Sequence, residues 1–241
     1  IFALRDDRLR GQVPSEGVLG ITAGIDTQDN GFYYVVRAWG EFDESWLITE
    51  GFTDDFDILL NIINGRFKSV NSNQFIVNIA FQDAMGHRTA EVYEKLRLIP
   101  QIKPTRGEQR MASPFSISKI DMYPGTNKPI PGGLSLYRLN VTYYKDKLHA
   151  KLLIPSADPG AFHVHSEISE DYARQMVAEY RNELELWECP TGRPNHYWDC
   201  EVLAMAASDI LGVKYWSNKI QEVEQKPKPQ TSKLKVRPSR W

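Results

Sequence analysis

Cysteine is scarce in this chain. Its 241 residues include two, Cys189 and Cys200. That is too few for a disulfide scaffold, and the spacing is not that of a zinc finger. A reducing compartment is the simplest setting. An excess of positive charge is also missing. Lysine and arginine number 29 against 31 aspartates and glutamates, for a net charge of −2. This excludes a strongly basic stand-alone nucleic-acid binder but leaves room for local basic patches. No apolar run approaches the roughly 20 residues that a membrane span needs, and no signal peptide opens the chain, so no membrane association is expected. The sequon Asn140-Val141-Thr142 has no other sign of secretion beside it. No internal repeat is visible. No Gly-x-x-x-x-Gly-Lys-Ser/Thr loop occurs, so ATP hydrolysis is not expected. No initiator methionine precedes Ile1, and the chain is expected to be a piece of a longer protein.

What is present is an ordinary globular balance, 41% hydrophobic and 25% charged, in a length that allows one large domain or two small ones. The stretch Leu19 to Asp26 is an apolar run that ends abruptly in a carboxylate. Phe32 to Trp39 follows, rich in aromatic and β-branched residues, and Asp29-Asn30-Gly31 between them is a hairpin signal. A third strand is expected at Ser45–Phe52. Asp54-Asp55 then suit the start of a helix carrying Phe56, Ile58, Leu59, Leu60, Ile62 and Ile63. Phe75 to Asp83 reads as a fourth strand that also ends in an aspartate. Glu91–Leu98 reads as an amphipathic helix and Ile99–Lys103 as a fifth strand. A hairpin-led meander followed by helical crossovers implies a mixed sheet with helices on its faces. If the crossover returns beside the first strand, the first and fourth strands are parallel neighbours, and Asp26 and Asp83 emerge side by side at one sheet edge.

Further along, Thr105–Gly133 is rich in Gly, Pro, Ser and charge and reads as a long loop, functional or disordered. Leu134–Leu139 reads as a strand, Val141–Leu153 as a helix, Phe162–His165 as an edge strand, Ser169–Arg181 as a helix and Leu184–Cys189 as a strand. Asn195 to Leu211 forms the last helix, with Asp199 near its start and small residues suited to packing on a sheet. Residues 1–16 read as a linker or lead-in helix, 17–213 as the folded domain, and 214–241 as a basic, disordered tail.

Asp26, Asp83 and Asp199 can therefore meet as one acidic cluster. Each alone is as well explained by a cap or a surface charge. Together they suit two hard cations, Mg²⁺ or Mn²⁺, clamping the attacking and leaving oxygens of a phosphodiester. Asp26, central on the first strand, would bridge the two ions, with Asp83 holding one and Asp199 the other. His87, near the helix start after Asp83, is a candidate for contacting a bound water, shuttling a proton or touching phosphate. Its plain alternative is satisfying a turn. Arg88, Arg106, Arg110 and Lys119 are candidate DNA contacts, each alternatively a solvated surface charge. His163 and His165 share a strand side and form a possible transition-metal pair, though a purely structural role weighs more. Glu201 is a reserve ligand.

Three motifs carry a resemblance to a known family. They are Gly24-Ile25-Asp26-Thr27-Gln28 before an aromatic strand ending Ala38-Trp39-Gly40, then Asp83-Ala84-Met85-Gly86-His87-Arg88-Thr89, and then Asn195-His196-Tyr197-Trp198-Asp199-Cys200-Glu201 leading into an Ala-rich helix. From about Gly17 to Val213 the chain resembles the nuclease domain of the large terminase subunit of lambda-type tailed phages. The resemblance implies an RNase H-like fold and acidic metal ligands at Asp26, Asp83 and Asp199. It also implies an endonuclease that cuts double-stranded viral DNA concatemers in the host cytoplasm during packaging. The implied partners are an N-terminal packaging ATPase domain, a small terminase subunit and the capsid portal. Ala84-Met85 departs from the family's usual small polar or glycine residues there. The competing readings are a non-catalytic DNA clamp or capsid-docking module, and an RNase H-like recombinase or resolvase.

Overall fold

The computed structural model describes residues 1–216. Its centre is an eight-stranded mixed sheet. In chain order its strands are β1 (Gly20–Gln28), β2 (Gly31–Trp39), β3 (Ser45–Thr53), β4 (Ile79–Asp83), β5 (Ile102–Glu108), β6 (Phe115–Met122), β7 (Pro129–Asn140) and β8 (Phe162–His163). They lie side by side in the order β8-β3-β2-β1-β4-β5-β7-β6. The opening hairpin is antiparallel, with Gln28 opposite Gly31, and β4 runs parallel to β1 with Ile25 beside Gln82. The expected parallel pairing of the first and fourth strands is therefore present. This mixed α/β arrangement is an RNase H-like fold.

Five helices cover the two faces: α1 (Phe56–Ile63), α2 (Thr89–Leu96), α3 (Val141–Leu152), α4 (Glu170–Gln175) and α5 (His196–Leu211). Side chains alternate across a strand, and the alternation along β1 sorts the core in two. Ile21, Ala23 and Ile25 pack with Phe56 and Leu59 of α1 and Val92 and Leu96 of α2. The other face, carrying Val35, Trp39 and Phe81, packs against Tyr144 and Leu148 of α3, Tyr172 of α4 and the length of α5. Thr22, Gly24 and Asp26 point to this second face, where the Thr22 hydroxyl donates to the Ala204 carbonyl at 2.8 Å. Asp83 shares the parity of Phe81 and so turns the same way.

The helix starts follow local chemistry. Asp55 caps α1 by accepting from the N–H groups of Asp57 and Ile58, Asn140 caps α3 and Ser169 caps α4, each filling an orphan donor of a first turn. α5 ends at Gly212, which adopts the left-handed conformation with φ 75°.

Several expectations need correction. Thr105–Gly133 is not a loop. β5 continues to Glu108, and β6 and β7 form a long hairpin at the sheet edge. The strand signal was short, an apolar–polar alternation over Phe115-Ser116-Ile117-Ser118 that Lys119 breaks, so that Phe115 and Ile120 pack on opposite faces of the sheet. A register shift between Pro129 and Leu134, with Gly132 and Gly133 both at positive φ, broke the period-two pattern and gave the segment a loop's composition. The helix expected through Arg181 stops at Gln175, and Tyr180–Arg181 instead pairs with Trp187–Glu188, all that forms of the expected 184–189 strand. The strand expected over Phe75–Asp83 is split: Gln74–Phe75 pairs with Phe67–Lys68 outside the main sheet, and β4 begins at Ile79 after Asn78, whose side chain accepts the N–H of Ile21. Residues 1–16 are no free linker. Gln12–Val13 pairs with Lys68–Ser69, Arg5 bridges to Val164, and the Arg8 guanidinium donates to the carbonyls of Gln12 and Leu47. The expected basic tail lies, beyond 214–216, outside the described residues.

Glu201 is not a reserve ligand. It accepts two hydrogen bonds from Arg37 at 2.6 and 2.8 Å and one from the Tyr172 hydroxyl at 2.7 Å, with Arg37 and Glu201 both fully buried. Arg37 also lies over the Phe162 ring at 3.6 Å. The pair ties α5 to β2. Its attraction offsets its own desolvation, so its contribution is to the seating of the helix more than to net stability.

α5 crosses β1 at Gly24 so closely that a Cβ there would sit 1.9 Å from the Cys200 carbonyl oxygen and 2.7 Å from the Ala204 nitrogen. Backbone meets backbone, and neither side has a flexible end that can yield. Gly24→Ala should therefore cost about 1–3 kcal/mol or more through overpacking, read as a lower urea midpoint at unchanged m-value. An unchanged midpoint would show that the helix seat is softer than this geometry allows.

Candidate active site

Asp26 and Asp83 reach the same edge of the sheet because β1 and β4 are parallel neighbours that end together. Asp199 joins them from the first turn of α5, next to the Cys200 that rests on Gly24. All three line one cleft of about 310 Å³, with Thr105 and Gly107 of β5, Leu139 and Val141 at the β7–α3 junction, and Lys145 on α3. The three aspartates are thus brought together.

Each carboxylate has a different set of partners. Asp26 is almost fully buried. Its Oδ2 accepts from Gln28 Nε2 at 2.7 Å and lies 2.8 Å from His196 Nδ1. The His196 ring stacks on Tyr33 at 4.4 Å, which fixes its plane. Among the described residues Asp83 is met by backbone alone, the N–H of Met85 at 3.3 Å. The end of β4 is held by other bonds: the Thr27 hydroxyl donates to the Asp83 carbonyl at 2.7 Å, and the Thr105 hydroxyl to the Gln82 carbonyl at 3.0 Å. Asp199 is engaged at both oxygens, with Lys145 Nζ 3.1 Å from Oδ1 and Asn195 Nδ2 donating to Oδ2 at 2.9 Å.

The electrostatics follow from this. Burial pushes the Asp83 carboxyl up to about 7, the neighbouring charges of Asp26 and Asp199 add to it, and the backbone N–H of Met85 pulls it back. The Asp199 carboxyl is also raised, by burial first, with Lys145 opposing. Burial pulls the Lys145 ammonium down, but Asp199 and Glu179 more than compensate and hold it above its ordinary value. Among the described residues, no group of three or more His, Cys, Asp or Glu side chains is arranged to hold a metal ion as the side chains stand. The partners above give the reason, since Asp26 is turned to His196 and Gln28 while Asp199 is turned to Lys145 and Asn195. The donor set itself is hard oxygen, clustered and under mutual repulsion at Asp83, which suits Mg²⁺ or Mn²⁺ chemically.

The remaining candidates fall in different places. His87 is 91% exposed at its side chain and 3.3 Å from Asp29. Arg88 grips both oxygens of Glu91, donates to the Gln28 carbonyl and lies over the Phe32 ring, so it secures the start of α2 against the hairpin. Arg106 pairs with Glu108 at 3.2 Å, and Lys119 stands on the edge strand 3.9 Å from Asp121, both well exposed. Arg110 lines a shallow recess with Asn140, Thr142 and Tyr143, and Gln109 belongs to both this recess and the acidic cleft. The histidine pair is split, His163 bonding Glu44 at 2.9 Å and His165 bonding Glu50 at 2.7 Å. Lys145 and Glu179 were missed. Lys145 is one of several lysines on a weakly patterned helix, and Glu179 lies where a longer helix was expected. Neither position carries a local signal. Asn195 and His196 stood inside the third motif, but their partners depend on how α5 meets β1 and the 176–179 segment.

A mixed sheet with two carboxylates at the ends of adjacent parallel strands and a third on the helix laid across them defines the class of RNase H-like nucleases. The model of the terminase large subunit gpA endonuclease domain matches residues 1–221, and the chain belongs to that family. The terminase large subunit of Escherichia phage lambda is 28% identical over 235 residues, covering 87% of this chain and 35% of the lambda protein. The chain thus spans about a third of the length of that curated relative. No solved structure matches. Among the described residues no helix is long and apolar enough to cross a membrane.

The raised Asp83 carboxyl has a consequence for stability. Unfolded, an aspartate titrates near 3.9, and folded, this one titrates at about 7. The folded state holds the proton more tightly, so the stability Asp83 contributes is full below about pH 4 and is lost as pH rises through about 7. In the absence of divalent cations, melting temperature should decline across that window. Asp83→Asn should flatten the decline and melt above the parent at pH 8. Parallel pH curves for the two proteins would place the proton elsewhere.

Proposed function

We propose that this domain is a metal-dependent endonuclease that cuts double-stranded viral DNA concatemers during genome packaging, by two-metal phosphodiester hydrolysis. The observation that carries the reading is the convergence of Asp26, Asp83 and Asp199 on one cleft in a chain of a nuclease family. In this reading Asp26, Asp83 and Asp199 would hold two Mg²⁺ or Mn²⁺ ions, with Asp26 the shared ligand. When bound, such ions supply an activated water and neutralise the leaving oxygen. The chain's own residues do the positioning. His196, held flat on Tyr33, and Gln28 orient the Asp26 carboxylate. Thr27 and Thr105 fix the strand end that presents Asp83.

The DNA would cross the mouth of the cleft. The recess with Arg110 continues from it through Gln109 and offers one phosphate contact. Arg106 and Lys119 are exposed toward solvent on β5 and β6 and would add a salt-dependent, sequence-independent attraction. His87, on the exposed loop beyond Asp83, would meet the DNA backbone at the outer lip. Arg88 serves the site by holding that loop's helix. The working protein would include an N-terminal packaging ATPase domain and act with a small terminase subunit and the capsid portal in the host cytoplasm. The length of the lambda relative supports the first of these, since two thirds of it lies outside the matched region.

Nicking of supercoiled plasmid with Mn²⁺, against an EDTA control, tests the reading. Activity should fall to background in Asp26→Asn and severely in Asp83→Asn and Asp199→Asn, with all three folded by circular dichroism. Thermal stabilisation by Mn²⁺, which follows from binding the folded state alone, should shrink in each. A folded Asp26→Asn protein that nicks at the parent's rate would sink the proposal.

A further inference from the structure

One charged side chain in the cleft is not an acid. Lys145 lines it beside Asp26, Asp83 and Asp199, with its side chain 12% exposed. Its Nζ is 2.6 Å from Glu179 Oε1 and 3.1 Å from Asp199 Oδ1. Asn195 closes the same knot from the start of α5, its Nδ2 donating to Glu179 Oε1 at 2.6 Å and to Asp199 Oδ2 at 2.9 Å. Both oxygens of Asp199 are thereby taken by protein donors.

Glu179 is the unusual member. Its side chain is 3% exposed, and its Oε2 has no hydrogen-bond partner among the described residues. A buried carboxylate with an unused oxygen is costly unless a nearby cation holds it. Here that cation is Lys145, and the bond is reciprocal, because Glu179 anchors the ammonium within reach of Asp199. The other two carboxylates of the cleft differ. Asp83 has a single weak backbone donor, and Asp26 is met by an amide and an imidazole. The positive charge of the cleft is thus concentrated at Asp199 before any ion arrives. An incoming divalent cation meets neutral or backbone donors at Asp26, on Oδ2 alone, and at Asp83, but at Asp199 it must displace an ammonium already tethered from behind.

We propose that Lys145 is a built-in counterion occupying the cation position at Asp199, so that the free domain takes one divalent cation, between Asp26 and Asp83, and admits a second only when Lys145 is displaced. This rests on the metal-dependent reading above and deepens it. Lys145 is a positioning residue in this scheme, and its effect is on ion occupancy.

The test counts Mn²⁺ bound per chain by titration calorimetry in the absence of DNA. The parent should bind one. The double variant Lys145→Gln with Glu179→Gln removes both charges, so neither is stranded in the interior, and should bind two, a doubling. Lys145→Arg keeps the charge and should bind one. A parent that binds two ions overturns the proposal on its own, even if the double variant fails to fold. A folded double variant that still binds one ion also overturns it. If the parent nicks plasmid with Mn²⁺ but already holds two ions, the Lys145 inference alone falls. If the parent neither binds Mn²⁺ nor nicks, the metal-dependent reading falls with it.

Discussion

The site depends on one steric fact, the backbone contact of α5 with β1 at Gly24. A Cβ at that position would sit 1.9 Å from the Cys200 carbonyl oxygen, so the helix or the strand would have to shift. The seat places Cys200 over Gly24, and Asp199 follows because it is the next residue along. His196, one turn earlier, comes within reach of Asp26 for the same reason. The Arg37–Glu201 pair and the Thr22–Ala204 bond hold the helix in rotation as well as height. A helix free to roll by one residue would carry Asp199 out of the cleft.

The second organising feature is how the fold tolerates three carboxylates in a small space. Like charges this close raise one another's affinity for protons or for cations. The protein answers with a graded set of partners. Asp199 receives a full positive charge from Lys145, Asp26 receives polar contacts from Gln28 and His196, and Asp83 is left with little beyond a backbone N–H. The set runs from the helix to the far strand, and at Asp83 burial and the neighbouring charges of Asp26 and Asp199 push the carboxyl up with little beyond backbone N–H groups to oppose them.

Much of this was legible in the chain. The abrupt carboxylate at the end of an apolar run placed Asp26 at a strand end, and the hairpin signal at Asp29-Asn30-Gly31 gave the antiparallel start. The helical pattern from Phe56 implied a crossover, and one that returns beside the first strand, as this one does, makes Asp83 a neighbour of Asp26. Other parts were hidden. The β6–β7 hairpin was masked by Gly132-Gly133 and the register shift they accompany, which mimic a loop. Glu201 read as a reserve ligand, because its partner Arg37 lies on a strand far off in the chain.

The amino-acid sequence by itself determined which side chains sit at strand ends and helix starts, because alternation, caps and turn residues are local and each is decided within a few neighbours. It determined the three aspartates and the general plan of a sheet sandwiched by helices. Only the tertiary structure decided what each aspartate faces. Lys145 on α3, Glu179 after α4, and Asn195 with Asp199 at the start of α5 come from three separate segments of the chain, and they meet only because those segments are packed together. The electrostatic character of the cleft is set by distances of about 3 Å between such residues, and no local pattern encodes a distance across the fold.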